Sequence, residues 1–298
     1  MAAGDAPVGL VGLGLVGTAL GGRLLAAGFD VLGYDIDAAR NAALAAAGGR
    51  AAASLREVGE RCERVMLGLY DTPTVERALE GDDGVLAGRS RTTLVVDCGT
   101  GDPDRLVRLA ARLAARGVAL VEAPLSGSSA QIAAGEGLCL VAGERAAAER
   151  AADLLAAIAP RRHYVGPAGM GARAKLATNL VLGLNRAALA EGLAFAESVG
   201  LDIRSFYALL RDSAAYSQVM DVKGEKMLAG DFAPQGRIRQ HAKDLGLILD
   251  QAGARGQRLP MTQAHARLLA DAIAAGDGDL DNAAVIAQIR RYRRTRER

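Results

Sequence analysis

The sequence predicts an α/β domain built on a doubly wound, mostly parallel sheet, followed by an all-α domain that a long helix joins to it. Three observations predict this. Short apolar runs alternate with helix-period segments through the first half of the chain. The alternation stops after Asn179, and only helical periodicity remains beyond it. Between the halves, a glycine-rich loop over 166–171 opens a segment in which Leu176, Leu180, Val181 and Leu184 fall at helical spacing. The division is drawn at 166/167, giving domains 1–166 and 167–298.

Taken in order, residues 7–11 form a short buried strand, followed at once by Gly12-Leu13-Gly14-Leu15-Val16-Gly17. A helix continues to about Ala27, and the next strand spans 30–35 and closes on Asp35. Strand, glycine turn and helix are the context in which a G-x-G-x-x-G sequence binds a dinucleotide. Gly12 serves the tight turn, Gly14 lets a pyrophosphate approach the backbone, and Gly17 lets helix and strand pack closely. The helix N-terminus offers free N–H groups to the phosphates. Asp35 is placed to accept from the adenosine ribose hydroxyls. Ile36 stands where a basic residue would be needed for a 2′-phosphate, which favours NAD; Arg40 leaves NADP open. Further strands are expected at 64–69, 93–97, 118–122 and 138–142, with helices at 74–79, 104–115 and 145–157. The domain is therefore of Rossmann type, with ligands beyond the carboxyl ends of the strands. The loops there are 69–74, 98–101 and 123–129. The last holds Ser126, Gly127, Ser128 and Ser129, which suit a carboxylate held by hydroxyls and backbone N–H groups.

In the second half, helices are expected at 180–199, 203–211, 244–254 and 262–275, with Gly200, Gly256 and Gly276 as stops. Lys175 and Asn179 lie four apart and project from one helix face, as suits residues of a cleft. Lys243 offers a second lysine. His163, His241 and His265 do not fall at metal-ligand spacings, so no metal is expected, and Cys98 is a remote candidate for a reactive thiol.

Composition narrows the function classes. Half of the 298 residues are apolar, Trp is absent and aromatics are few, so the core must be Ala, Leu and Val. Net charge is +2, yet residues 290–298 carry six Arg against one Glu. The rest of the chain is thus slightly acidic, and the basic run is expected to be a solvated tail with no nucleic-acid partner. Three scattered cysteines without a CxxC pair argue for reduced thiols and a cytoplasmic protein. No apolar stretch is long enough to span a bilayer, so no membrane association is expected. The apolar, Ala/Leu-rich second half predicts self-association as a homodimer or homotetramer.

Four stretches together resemble the β-hydroxyacid dehydrogenase family, which includes 3-hydroxyisobutyrate dehydrogenases and tartronate semialdehyde reductases. Gly12 to Gly17 resembles its cofactor signature. Glu122-Ala123-Pro124-Leu125-Ser126-Gly127 is similar to its D-A-P-V-S-G substrate motif. Gly169-Met170-Gly171 with Lys175 and Asn179 matches G-x-G-x-x-x-K-x-x-x-N, and Lys243-Asp244-Leu245 matches K-D-L. The resemblance implies reversible hydride transfer between NAD(P) and a small 3-hydroxy acid or its semialdehyde. It implies Lys175 as the catalytic acid/base and Asn179 as the residue that orients substrate. Ser126 and Gly127 would hold the carboxylate, and Thr100 and Lys243 would lie near the nicotinamide. Leu69, Tyr70 and Thr74 would border the adenosine. The chain departs from the family at Ser128, where S-G-G is usual, at Gly99, where S-T is usual, and at Tyr70-Asp71, where a proline is common. Two other readings compete: an imine reductase of the same fold, which would carry another residue at 175, and a non-catalytic NAD-binding sensor.

Overall fold

The computed structural model describes residues 6–293. The chain divides into two compact units, Met1–Lys175 and Leu176–Arg298. The first contains β1 (Val8–Val11), α1 (Leu15–Ala26), β2 (Val31–Tyr34), α2 (Ala38–Ala46), β3 (Arg50–Ala51), α3 (Leu55–Arg61) and β4 (Arg64–Leu67). It continues through α4 (Thr72–Glu80), β5 (Leu94–Asp97), α5 (Pro103–Ala114), β6 (Ala119–Glu122), β7 (Leu125–Ser126) and α6 (Ser129–Ala133). β8 (Leu138–Ala142), α7 (Arg145–Arg150), α8 (Ala152–Ile158) and β9 (Arg161–Gly166) complete it. The long helix α9 (Met170–Ser198) runs through the division between the units.

The strands form one sheet in the order β3-β2-β1-β4-β5-β6-β8-β7, with β9 paired to β8. β1 to β6 are parallel, and β8 runs antiparallel to β6 and β7 but parallel to β9. Alternate residues of one strand feed two separate cores. Val8 and Leu10 of β1 and Leu94 and Val96 of β5 enter one, and Val11 and Val95 enter the other. A sheet covered on both faces needs continuously apolar strands, which is why β1 and β5 are buried throughout. Helix starts are written locally. Asp37, Ser54, Asp71 and Asp102 cap α2, α3, α4 and α5 by accepting backbone N–H groups, and Pro73 and Pro103 fall in the first turns of α4 and α5.

The second unit holds most of α9, then α10 (Ile203–Asp212), α11 (Val219–Ala229), α12 (Ile238–Gly253), α13 (Pro260–Ala274) and α14 (Val285–Arg291) around one apolar core. Helix α11 escapes the periodicity because its buried face includes Lys223 and Gly224. The Lys223 ammonium pairs with Asp281 at 2.8 Å in the core. Any Cβ on Gly224 would come within 2.3 Å of the Tyr207 ring.

Several expectations need correction. β9 is an exposed edge strand and so has no buried apolar run to announce it. The helix expected over 145–157 is broken at Ala151 into α7 and α8. The stripe on α9 is only partly a core face: Leu176 is buried, Leu180 and Leu184 are half-buried, and Val181 is 56% exposed. The basic run is not wholly solvated. Arg290 pairs with Glu197, and Arg291 donates to Asp277 at 2.6 Å; residues 294–298 lie outside the described residues.

Candidate active site

In the first unit the strand order reverses at β1, which has β2 on one side and β4 on the other. Sheets of this kind hold ligands beyond the carboxyl ends of the strands at that reversal. Gly12 leaves β1 there with φ +87°, and a Cβ on it would lie 2.8 Å from the Gly68 carbonyl oxygen. A Cβ on Gly17 would lie 1.8 Å from the Gly12 carbonyl oxygen, so helix and turn meet only through glycine. Gly14 differs: its Cβ would meet only the Arg40 guanidinium, 3.9 Å away. As N-cap of α1, Gly14 supplies no side-chain hydrogen bond to the helix start. Open space above an uncapped helix N-terminus fits a dinucleotide's pyrophosphate.

Asp35 is buried just past β2, and its carboxylate accepts the N–H groups of Leu13 at 2.7 Å and Asp37 at 2.9 Å. It therefore ties the glycine turn to the second strand. Arg40 stands 3.3 Å from the same carboxylate, and Ile36 is 94% exposed. Leu13 is buried, whereas Leu15 and Val16 are half-buried on the first turn of α1. Past β4, Leu69 and Thr74 are half-buried and Tyr70 is exposed. The Asp71 side chain accepts the Thr74 N–H at 2.8 Å. Past β5, Thr100 is half-buried, and Gly99 donates to the Asp97 carboxylate at 2.9 Å. Cys98 is buried, and burial, with Cys139 and Asp97 adding to it, pushes its thiol well above the usual range, so it remains protonated.

Past β6 the chain runs through Ala123 and Pro124 into Ser126 on β7 and Gly127 in the turn. Ser128 has a second task here that its sequence position only hinted at. Its hydroxyl oxygen accepts the Gln131 N–H at 3.3 Å while Gln131 accepts the Ser128 N–H at 2.9 Å, a reciprocal cap on α6. Glu122, at the end of β6, is 2% exposed, and its carboxylate accepts the N–H groups of Gly169 and of Ala172, the latter at 2.7 Å. Burial lifts the Glu122 carboxyl above the ordinary carboxylate range, with the two N–H donors opposing and Asp97 adding to the rise. Lys175 follows on α9 and is 7% exposed.

In the second unit Asn179 is 6% exposed, and its amide donates to the Asp244 carboxylate at 2.8 Å. The Lys243 ammonium lies 2.9 Å from the other oxygen of Asp244. Asp244 is a residue that the sequence motif named without a role. His241 and His265, far apart in sequence, come together with ring centroids 5.2 Å apart, both packed on Gly183; His163 is exposed on β9. Arg186, on the same face of α9, is buried, and desolvation pushes its guanidinium down to about 10 despite nearby Asp281 and Asp244. No group of three or more His, Cys, Asp or Glu able to hold a metal occurs among the described residues, and no helix there is long and apolar enough to cross a membrane.

The chain is similar to known proteins over nearly its whole length. Residues 7–166 match the NAD binding domain of 6-phosphogluconate dehydrogenase, and residues 169–289 match the NAD-binding domain of NADP-dependent 3-hydroxyisobutyrate dehydrogenase. L-threonate dehydrogenase of Cupriavidus necator is 34% identical over 94% of both chains. The 2-hydroxy-3-oxopropionate reductase of Escherichia coli is 31% identical over 78% of this chain and 79% of that one. The crystal structure of 3-hydroxyisobutyrate dehydrogenase from Salmonella typhimurium matches with a TM-score of 0.86 at 30% identity, covering 95% of this chain and 99% of that one. A Rossmann-type domain with an open glycine turn, an all-helical partner domain and both family signatures in order lead to one conclusion: the chain belongs to the NAD(P)-dependent 3-hydroxyacid dehydrogenases, the β-hydroxyacid dehydrogenase family.

Proposed function

We propose that the chain interconverts a small, hydroxylated 3-hydroxy acid and its semialdehyde or oxo acid, with Lys175 carrying the proton and NAD preferred over NADP. The observation that carries this reading is the lysine itself. It is almost wholly buried near the start of a long helix, one turn before an asparagine whose amide is fixed by Asp244. A lysine buried this deeply beside a polar neighbour is a candidate for chemistry, and the matching family motif names that chemistry.

Gly12, Leu13, Gly14, Leu15, Val16 and Gly17 would hold the pyrophosphate with backbone N–H groups, and Asp35 the adenosine ribose. Leu69, Tyr70 and Thr74 would border the adenosine, with Thr100 and Lys243 beside the nicotinamide. When bound, the nicotinamide supplies or accepts the hydride. Lys175 takes the hydroxyl proton in oxidation and returns it to the carbonyl oxygen in reduction. Asn179 orients the reacting carbon. Ser126, Gly127 and Ser128 hold the substrate carboxylate, and the Ser128 cap on α6 leaves its O–H proton available as a donor.

A serine at 128, where the family has glycine, favours a substrate bearing a further hydroxyl over one bearing a methyl group. The names of the relatives that act on threonate and on 2-hydroxy-3-oxopropionate support the same choice. A spectrophotometric screen of small 3-hydroxy acids with NAD, and of their semialdehydes with NADH, tests it. Turnover of hydroxylated acids at higher kcat/KM than 3-hydroxyisobutyrate is expected. Turnover of only the apolar, branched acids would overturn the substrate argument.

A further inference from the structure

We propose that Glu122 is the positioning residue for Lys175: its carboxylate clamps the opening turn of α9 and fixes the lysine relative to the loop that follows β6. The inference rests on the reading of Lys175 as the proton carrier. Its basis is the geometry at the start of the helix. The two carboxylate oxygens take separate N–H groups, those of Gly169 and Ala172, and so bridge the turn from which Lys175 projects three residues later. Helices are usually capped by a short side chain of their own first turn. This cap comes instead from a strand end 47 residues earlier in the chain.

Gly171 makes the clamp possible. A Cβ there would lie 2.8 Å from the Cβ of Glu122 and 3.0 Å from its Oε2, so only glycine lets the carboxylate settle against the helix start. Gly171 of the lysine motif is thereby accounted for by a residue of the serine-loop motif, whereas Gly169 is required by its φ of +87° and by Val107 packed against it. Arg173 adds a second tie through Asp104 at 2.6 Å. A carboxylate at this end of α9 is also favoured by the helix dipole, which offsets part of the desolvation that raises the Glu122 carboxyl. Because Glu122 leads directly into Ala123-Pro124-Leu125-Ser126, one residue fixes both the loop assigned to the substrate carboxylate and the helix assigned to the proton.

The test compares Glu122→Gln, Glu122→Asp, Gly171→Ala and Lys175→Ala in the full-length protein, by steady-state kinetics and by NADH titration. Glu122→Gln keeps shape but sets an NH2 group against a backbone N–H. A misplacement of about 1 Å costs about a hundred-fold. The expected result is therefore a kcat roughly a hundred-fold lower, with the NADH dissociation constant unchanged. Glu122→Asp keeps the charge and should recover a clear part of kcat. Gly171→Ala pushes the carboxylate away without changing any polar group, and should lower kcat while NADH binding persists; it carries the test if the Gln variant does not fold. Wild-type kcat in Glu122→Gln or Gly171→Ala, or an Asp variant no better than Gln, would overturn the inference. So would a parallel loss of NADH affinity, which marks a role in the cofactor half. Lys175→Ala separates the two levels. If it is inactive while Glu122→Gln is normal, only this inference falls; if it remains active, the reading beneath falls as well.

Discussion

Asp35 shows how much a single side chain can hold. Its carboxylate supports the glycine turn through Leu13 and faces Arg40 at 3.3 Å. Replacing Asp35 by Ala removes the acceptor proposed for the ribose and frees the guanidinium to meet a 2′-phosphate. Loss of a charge-assisted hydrogen bond costs on the order of 1.5–3 kcal/mol, so the KM for NAD should rise at least about ten-fold. The gap between NAD and NADP should narrow in the same variant. Measuring kcat/KM with both cofactors checks this, and a wild-type preference for NADP would contradict the assignment. The positions of Asp35, Lys175 and Asn179 were legible because spacing places them at a strand end or one turn apart on a helix. Glu122 and Asp244 were not, because their roles are contacts made with residues distant in sequence, Gly169 and Asn179. Ser128 was half legible: its hydroxyl was foreseen, its cap on α6 was not.

At the scale of elements, helices α9, α12 and α13 enclose a polar cluster inside an apolar bundle. His265 is buried there with neither ring nitrogen hydrogen-bonded among the described residues, and burial, then the Arg186 charge, pushes its pKa down to about 4 from 6.5. Above pH 6.5 the ring is neutral whether the chain is folded or unfolded. Between pH 6.5 and about 4 the unfolded ring takes a proton that the folded ring refuses, so stability falls as the pH falls through that window. The shift corresponds to a loss of roughly 3 kcal/mol across it. Urea unfolding at pH 7, 5.5 and 4.5 should show the decline, and His265→Leu should flatten it relative to wild type. Equal acid sensitivity in the two proteins would assign the decline elsewhere. Elements were legible where burial is continuous, as in β1 and β5, or follows the helical period, as in α5. They were missed where it does not: β9 is exposed along an edge, and α11 buries a lysine that pairs with Asp281.

At the scale of the whole chain, the second unit leaves an apolar row uncovered. Val181, Ala188 and Phe195 recur every seven residues on α9 and are exposed, and Val199 and Leu201 continue the row past its end. A row of this kind on one helix favours burial against a second copy, so a homodimer or homotetramer is expected. Light scattering at micromolar concentration giving the mass of one chain would contradict it. The order of the four motifs was legible because chain order dictates which loops leave which strand ends. The stripe of Leu176, Leu180, Val181 and Leu184 was legible as an apolar face, but periodicity does not say what covers such a face, and Val181 is 56% exposed. If the fold delivers Lys175 as the proton carrier for hydride transfer, the Lys175→Ala variant loses that step alone. Turnover of the best 3-hydroxy acid should be abolished while NADH still binds with wild-type affinity, and Lys175→Arg should fail as well, because arginine does not release its proton near neutrality. Full turnover in Lys175→Ala would exclude the lysine as the proton carrier.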